Sequence, residues 1–208
     1  MHHADLQAIF DDFNINFVED PDFLIKFYED NEHTLSSATW FDHDELFKYQ
    51  SIASWYLWAL MEKKKYSKMR ENANSILLIV EKNIENLKVD PLADFKYHNL
   101  IKQRAYANYF RFQFRAAGKE FLRLSQYNPQ NKNYKMWADM SFLRFYSVLL
   151  YCLSSLIIFG DSYYKKYLPF PFAIAPPAIG ILCCAWAWRL EIKAKHVWKS
   201  SQSPLRKV

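Results

Sequence analysis

The side chains with the most chemical potential lie in the segment 106–115, where five aromatic residues are interleaved with Arg111 and Arg115. Interleaved aromatic and basic side chains stack on bases and neutralise phosphates in single-stranded nucleic acid. Aromatic crowding is also typical of a crossing between packed helices. We favour core packing for the aromatic residues, which makes nucleic acid the less favoured partner. Arg111 and Arg115 are better candidates for contacts with a protein.

A second candidate site is the acidic group Asp42-His43-Asp44-Glu45. Carboxylates and imidazole in a cluster are potential metal ligands. The spacing has a simpler explanation, because Asp42 as an N-cap with Glu45 three residues later forms a capping box. We therefore predict the start of a helix here rather than a metal site.

Catalytic motifs are absent from the sequence. It contains no glycine-rich phosphate loop, GxSxG elbow or HExxH motif. The cysteines Cys152, Cys183 and Cys184 all fall in apolar segments and offer no metal-ligand spacing. We therefore expect a protein that is not an enzyme and that uses no metal and no cofactor.

Two charge-free segments near the carboxyl end, Phe145–Gly160 and Leu168–Trp188, determine how the chain is organised. A spanning helix needs about 20 mostly apolar residues. The second segment is long enough alone, and the first becomes so if its helix begins near Met136, with Arg144 reaching the headgroups. We predict a transmembrane hairpin over 136–195, in contact with lipid, although two buried helices of a soluble bundle are the alternative.

Small residues and prolines are the notable features inside the predicted hairpin. Pro176, Pro177 and Gly180 are expected to interrupt the second helix as a hinge or packing joint. Ser154 and Ser155 are small enough to allow close helix packing. Basic residues before the hairpin and in the tail over 196–208 outnumber those in its loop, which predicts a two-span protein with both termini in the cytoplasm.

The rest of the chain is predicted to be all helical, because it holds only one of the three glycines. Short acidic helices are expected over 1–41: one over Ala4–Phe13, a second opened by Asp20 and Pro21, and then a loop over Asn31–Phe41. The first fifty residues hold twelve Asp and Glu against two Lys. This acidic segment either folds back on the basic helices or forms an arm that contacts a partner.

A spacing of three, four and three residues occurs twice in the region 42–135. It joins Tyr66, Met69, Ala73 and Ile76, and again Phe114, Ala117, Phe121 and Leu124. With Pro129 beyond the second set and Ile101 and Ala105 upstream of it, this pattern resembles that of tetratricopeptide repeats. The resemblance implies antiparallel helical hairpins, with a third first helix starting near Trp137 and continuing into the membrane.

Tetratricopeptide repeats bind peptides in a groove lined by their first helices. The resemblance therefore implies a protein partner held by Lys102 and Arg104 together with Arg111 and Arg115. We expect a membrane-anchored scaffold or adaptor. An accessory subunit of a larger membrane complex is the alternative, and a membrane-disrupting effector that forms a homo-oligomer is less favoured.

Overall fold

The computed structural model describes residues 3–37, 42–164 and 175–202, and these residues fold into helices without strands. The predicted all-α fold is confirmed for this part of the chain. Contacts divide the chain into a first compact unit, Met1–Gln130, and a second, Asn131–Val208. We call the first unit the head and the second the hairpin. The helices are α1 His3–Asn16, α2 Pro21–Ser37, α3 His43–Glu62, α4 Tyr66–Leu87, α5 Phe95–Phe110, α6 Phe114–Tyr127, α7 Lys132–Tyr164 and α8 Ala175–Gln202.

The core of the head is built around α3, which packs against α1, α2, α4 and α5. Large aromatic side chains fill this core. The rings of Tyr28 and Tyr56 are stacked with centroids 4.0 Å apart, and both side chains are almost fully buried. Because aromatic residues bury the largest apolar areas, they contribute heavily to the stability of the head.

The predicted start of α2 is confirmed, whereas its predicted end is wrong. The Asp20 carboxylate accepts a hydrogen bond from the Phe23 amide at 3.2 Å, with Pro21 as the first helical residue. The helix then continues to Ser37 through the segment that was predicted to be a loop. Leu35 explains the difference, because its side chain is completely buried and anchors two further turns on the core.

The acidic helices α1 and α2 fold back on the later helices of the head. Asp22 of α2 binds Lys63 at 2.6 Å, and Glu29 binds Lys68 at 2.8 Å. Phe13 of α1 packs against Phe27 of α2 with ring centroids 5.2 Å apart. The predicted boundary at residue 41 therefore separates two parts of one compact unit.

The capping box at the start of α3 is confirmed. The Asp42 carboxylate accepts a hydrogen bond from the Glu45 amide at 2.8 Å, and the Glu45 carboxylate accepts one from the Asp42 amide at 2.9 Å. The acidic group therefore satisfies backbone donors at a helix end. Across the described residues, no group of three or more His, Cys, Asp or Glu side chains is placed to hold a metal ion.

Three helices of the head, α3, α4 and α5, end in the same turn. In each turn, a residue other than glycine has a positive φ, and its amide and the next one donate to carbonyl groups three and five residues earlier. This is the Schellman motif, in which glycine is the usual residue at the positive-φ position. Here the positions are occupied by Lys64, Lys88 and Phe112.

The turns at Lys64 and Phe112 relate the helix pair α3–α4 to the pair α5–α6. Each second helix begins two residues after its turn, at Tyr66 and at Phe114. The six later residues of the repeated spacing, from Met69 to Ile76 in α4 and from Ala117 to Leu124 in α6, are all buried. The two pairs repeat after 48 residues by the positions of their turns, longer than the about 34 residues of a tetratricopeptide repeat.

Candidate functional site

The helices α7 and α8 pack along a seam of small residues. Ser147 and Ser154 of α7 and Gly180, Ala187 and Ala194 of α8 are all buried. On each helix these residues are seven apart. Such a spacing keeps them on one side of a helix, and small side chains allow two backbones to approach closely.

Hydrogen bonds between side chains and backbone link the two helices along the seam. The Ser154 hydroxyl donates to the Gly180 carbonyl at 3.0 Å and lies 2.7 Å from the Cys184 sulfur. The Ser147 hydroxyl donates to the Ala187 carbonyl at 3.2 Å. The polar atoms of the seam are therefore satisfied within the hairpin, as an apolar environment requires.

The outer faces of α7 and α8 carry large apolar side chains that are exposed. They are Tyr146, Val148, Leu149, Leu153, Leu156, Ile179, Ile181, Leu182, Trp186, Trp188 and Ile192. Among the described residues, one helical stretch, Lys132–Ile157, is long and apolar enough to cross a membrane. Only 22% of its most apolar window is buried within the protein, whereas the core helix of a soluble protein is mostly buried.

The second predicted span is only partly described. The charge-free portion of α8 runs from Ala175 to Trp188, which is 14 residues. At about 1.5 Å per residue this portion is shorter than the about 30 Å of a hydrocarbon core. The remainder of the predicted span, residues 168–174, lies outside the described residues. The same holds for residues 165–167 of the predicted loop and for residues 203–208 at the end of the tail. The first part of the predicted tail continues α8 to Gln202.

The predicted hinge residues have different positions in the hairpin. Pro176 and Pro177 are among the first described residues of α8, and the residues that precede Ala175 in the predicted span lie outside the described part of the chain, so the predicted interruption stays a prediction. Gly180 lies in the seam beside Ser154. Ser155 is exposed, and its hydroxyl donates to the Tyr151 carbonyl of its own helix at 2.8 Å, so it takes no part in the seam.

A charged group lies at one end of the apolar part of the hairpin. Arg144 binds Glu191 of α8 with a nitrogen–oxygen distance of 3.2 Å, and Lys195 lies 3.8 Å from the same carboxylate oxygen. Arg144 was predicted to reach lipid headgroups, which stays a prediction, and its guanidinium pairs with an acid of the neighbouring helix. Arg144 of this ion pair immediately precedes Phe145, where the charge-free segment of α7 begins.

Arg104, a predicted partner-binding residue, is engaged inside the head. Its Nε atom lies 2.7 Å from Oε1 of Glu120, and Asn108 donates to the other oxygen at 3.3 Å. Burial raises the pKa of the Glu120 carboxyl, while Arg104 and Asn108 oppose that shift. Arg104 therefore joins α5 to α6. Lys102 is half-buried, and burial lowers the pKa of its ammonium group.

Arg111 and Arg115 lie together at the turn between α5 and α6. Arg111 is half-buried at the end of α5, and Arg115 is exposed in the first turn of α6. Core packing was predicted for the aromatic residues around them, and this holds for Phe114, which is 6% exposed. It is wrong for Phe112, which is 81% exposed.

A polar network that the sequence analysis missed joins three helices of the head. The Tyr97 hydroxyl of α5 donates to Glu81 of α4 at 2.8 Å and accepts from Arg123 of α6 at 3.0 Å. Burial raises the pKa of Tyr97, so its hydroxyl remains a donor at neutral pH. The residues of this network are up to 42 positions apart in the sequence, from Glu81 to Arg123, so no local pattern indicates the network.

No protein-family model, curated protein or solved structure matches this chain. Its function must therefore be inferred from its own geometry. The most distinctive feature of the chain is the hairpin. Small residues and interhelical hydrogen bonds lie inside it, and large apolar residues lie on its outer faces.

Proposed function

We propose that this protein is a membrane-anchored, non-enzymatic scaffold, with the hairpin in the bilayer and the head binding a protein partner. The observation that supports the anchor best is the distribution of side chains in the hairpin. Its buried seam consists of Ser, Gly and Ala, while Leu, Ile and Trp are exposed. Lipid is the solvent in which this distribution is stable, because association of helices in lipid depends on close packing and hydrogen bonds.

In water the same distribution would be unfavourable. Soluble monomers rarely expose a contiguous apolar patch larger than a few hundred Å². The exposed apolar residues of α7 extend from Tyr146 to Leu156, and those of α8 from Ile179 to Ile192. A partner protein in the membrane could cover these apolar faces in place of lipid. An accessory subunit of a membrane complex is therefore the second candidate function.

We propose that both helices cross the bilayer and that both termini are cytoplasmic. The seam supports an antiparallel pair, because Ser154 meets Gly180 and the earlier Ser147 meets the later Ala187. An antiparallel pair of spans returns the chain to the side on which it entered. Basic residues in the first turns of α7 and in the last turns of α8 favour the cytoplasm for that side.

We propose that the head is a tetratricopeptide-like scaffold and that the partner contacts α5 near Lys102. The two equivalent turns and the buried residues of the repeated spacing support the repeat. Burial lowers the pKa of Lys102, with no other contribution to the shift. An anionic group of a partner would offset the effect of burial on this ammonium group. Arg104 is less suited to the partner because Glu120 already binds it.

Extraction of membranes from cells that make the full-length chain would test the anchor. We expect the protein to remain in the pellet after alkaline carbonate treatment, as an integral protein does. Release into the supernatant would contradict anchoring by the hairpin. Protease added to sealed vesicles would then test the orientation, since both termini should be cleaved on the cytoplasmic side.

Site-specific crosslinking would test the partner surface. A photoreactive amino acid at Lys102 should yield a discrete crosslinked product in native membranes. The same group at Lys82, an exposed lysine of α4, provides the matched control. Equal products from both positions, or none from Lys102, would contradict a specific partner surface on α5.

A further inference from the structure

Two turns of the head lie side by side. The ring of Tyr66, which begins α4, stacks on the ring of Phe110, which ends α5, with centroids 4.7 Å apart and planes inclined by 18°. The turn from α3 to α4, taken as residues 63–66, and the turn from α5 to α6, taken as residues 110–113, therefore form one surface. We call this surface the paired turns.

Phe112 is the most unusual residue of the paired turns. It has a φ of 62° and is 81% exposed. Glycine is the usual residue at this position of a Schellman motif, since a side chain makes the left-handed conformation unfavourable. Phe112 therefore combines an unfavourable backbone with an apolar side chain in solvent. Such strain is concentrated at functional sites, and a phenyl ring held in this way is available to insert into a partner.

Basic residues are present on both of the paired turns, and the Phe112 ring itself meets the Phe114 ring edge-on with centroids 5.9 Å apart. Lys64 and Lys65 are exposed on the neighbouring turn, and Arg111 directly precedes the ring. Lys63 contributes less charge to a partner because Asp22 binds it at 2.6 Å. The paired turns therefore carry exposed cations together with the Phe112 ring, which is their most exposed aromatic side chain.

We infer that the paired turns dock on an anionic lipid bilayer, with Phe112 entering the interface and Lys64, Lys65 and Arg111 facing lipid phosphates. Aromatic side chains partition into the interface, and cations near an anionic leaflet are attracted to it. A single projecting ring suits a fluid surface. The inference rests on the membrane anchoring proposed above, because the head directly precedes α7 in the chain.

The turn between α4 and α5 provides an internal control. Lys88 has a φ of 54° there and the same Schellman hydrogen bonds as Phe112. The residues that follow it include Asp90 and Asp94, and no aromatic side chain occupies the positive-φ position. This turn should be indifferent to lipid charge.

Hydrogen–deuterium exchange of the full-length protein in nanodiscs would test the docking. One set of nanodiscs contains phosphatidylcholine alone, and the other contains phosphatidylserine in addition. We expect the amides of the paired turns to exchange more slowly with phosphatidylserine present, and high salt to abolish the difference. The turn at Lys88 should exchange equally in both. Equal exchange of the paired turns in both lipids would overturn the inference.

Two glycine variants separate docking from stability. Phe112→Gly should raise the melting temperature of the head by relieving the backbone, and it should remove most of the lipid-dependent protection. Lys88→Gly should also raise the melting temperature but leave the protection intact. Protection that persists in Phe112→Gly would contradict insertion of the ring. Replacement of both Lys64 and Lys65 by Glu should also abolish the protection, and unchanged protection would contradict the role of charge.

The same experiment distinguishes failure of docking from failure of anchoring. Co-elution of the wild-type protein with the nanodiscs of phosphatidylcholine alone reports the hairpin, because the docking requires anionic lipid. A protein that does not enter nanodiscs would contradict the anchor and the docking together. A protein that enters them but shows no effect of phosphatidylserine would contradict the docking and leave the anchor standing.

Discussion

The head and the hairpin have opposite side-chain distributions. The head buries large aromatic residues such as Tyr28, Tyr49 and Tyr56 and places most of its charges at the surface. After Arg144, the hairpin buries Ser147, Ser154 and three small residues of α8 while it exposes leucine, isoleucine and tryptophan. Its large buried side chains, Trp137 and Met140, come before that point. One chain thus follows two packing rules.

The two distributions match two different solvents, water for the head and lipid for the proposed anchor. Burial of apolar area stabilises a fold in water, where it is worth about 25 cal/mol per Å². In lipid this term is absent between helices, so packing of small residues and hydrogen bonds replaces it. The comparison supports the proposed anchor better than the length of either helix does.

The largest expected effect compares two leucines that are equally exposed. Leu156 of α7 is 72% exposed and Leu78 of α4 is 71% exposed. Leu156→Arg should cost about 2.5 to 3.5 kcal/mol of insertion free energy if lipid surrounds α7. Leu78→Arg, in water, should change the stability of the head by no more than about 0.5 kcal/mol. Membrane fractionation and thermal melts of both variants provide the measurement, and equal behaviour of the two would remove the distinction between the units.

The next effect concerns the seam of the hairpin. Gly180→Leu places a large side chain where α7 and α8 approach each other, so overpacking should destabilise the hairpin by about 1 to 3 kcal/mol. Ile181→Leu is the matched control on the outer face, where Ile181 is 65% exposed. Titration of sodium dodecyl sulfate into detergent-solubilised protein, with helix content as the signal, measures both. A seam that tolerated leucine at position 180 would not be closely packed.

Helix starts could be predicted because their signals are local in sequence. Asp42 and Glu45 are three residues apart, and the capping box follows from backbone geometry alone. The same holds for the start of α2 at Pro21. The end of α2 could not be predicted, because burial of Leu35 depends on distant parts of the chain. Polar residues around Leu35 gave the segment the local composition of a loop.

The candidate sites were harder to predict than the fold. The seven-residue spacing of Gly180, Ala187 and Ala194 is present in the sequence, but it indicates a seam only once a second helix is known to face it. Phe112 was predicted wrongly for another reason. The aromatic composition around it favoured a core position, whereas the turn places its ring in solvent. The partner of Arg104, Glu120, is 16 residues away and has no local signature.

A smaller effect tests the local signal at the start of α3. Asp42→Ala removes the side-chain acceptor for the Glu45 amide and should destabilise the head by about 1 kcal/mol. Asp42→Asn should retain most of the stability, because asparagine caps helices about as well. Urea unfolding of the full-length protein in detergent measures both variants. Equal losses would show that charge rather than capping stabilises this helix start.

The smallest effect concerns the ion pair that is enclosed between helices of the head. The head encloses Arg104–Glu120 between helices, whereas the hairpin places Arg144–Glu191 at the end of its apolar part. Burial raises the pKa of Glu120 above its ordinary value of 4.5. As pH rises, the folded head therefore keeps the Glu120 carboxyl protonated after the same group in the unfolded chain has lost its proton. The stability contributed by Glu120 consequently falls as pH rises from about 4.5 through the raised pKa.

Glu120→Gln should remove this part of the pH dependence, because glutamine retains an acceptor for Arg104 and does not titrate in this range. Urea unfolding of both proteins between acidic and neutral pH measures it as a difference in slope. The difference should be small, since Arg104 and Asn108 oppose the effect of burial. A wild-type stability that instead rose relative to Glu120→Gln over this range would mean that Arg104 outweighs burial, and that the enclosed pair of the head behaves like an exposed one.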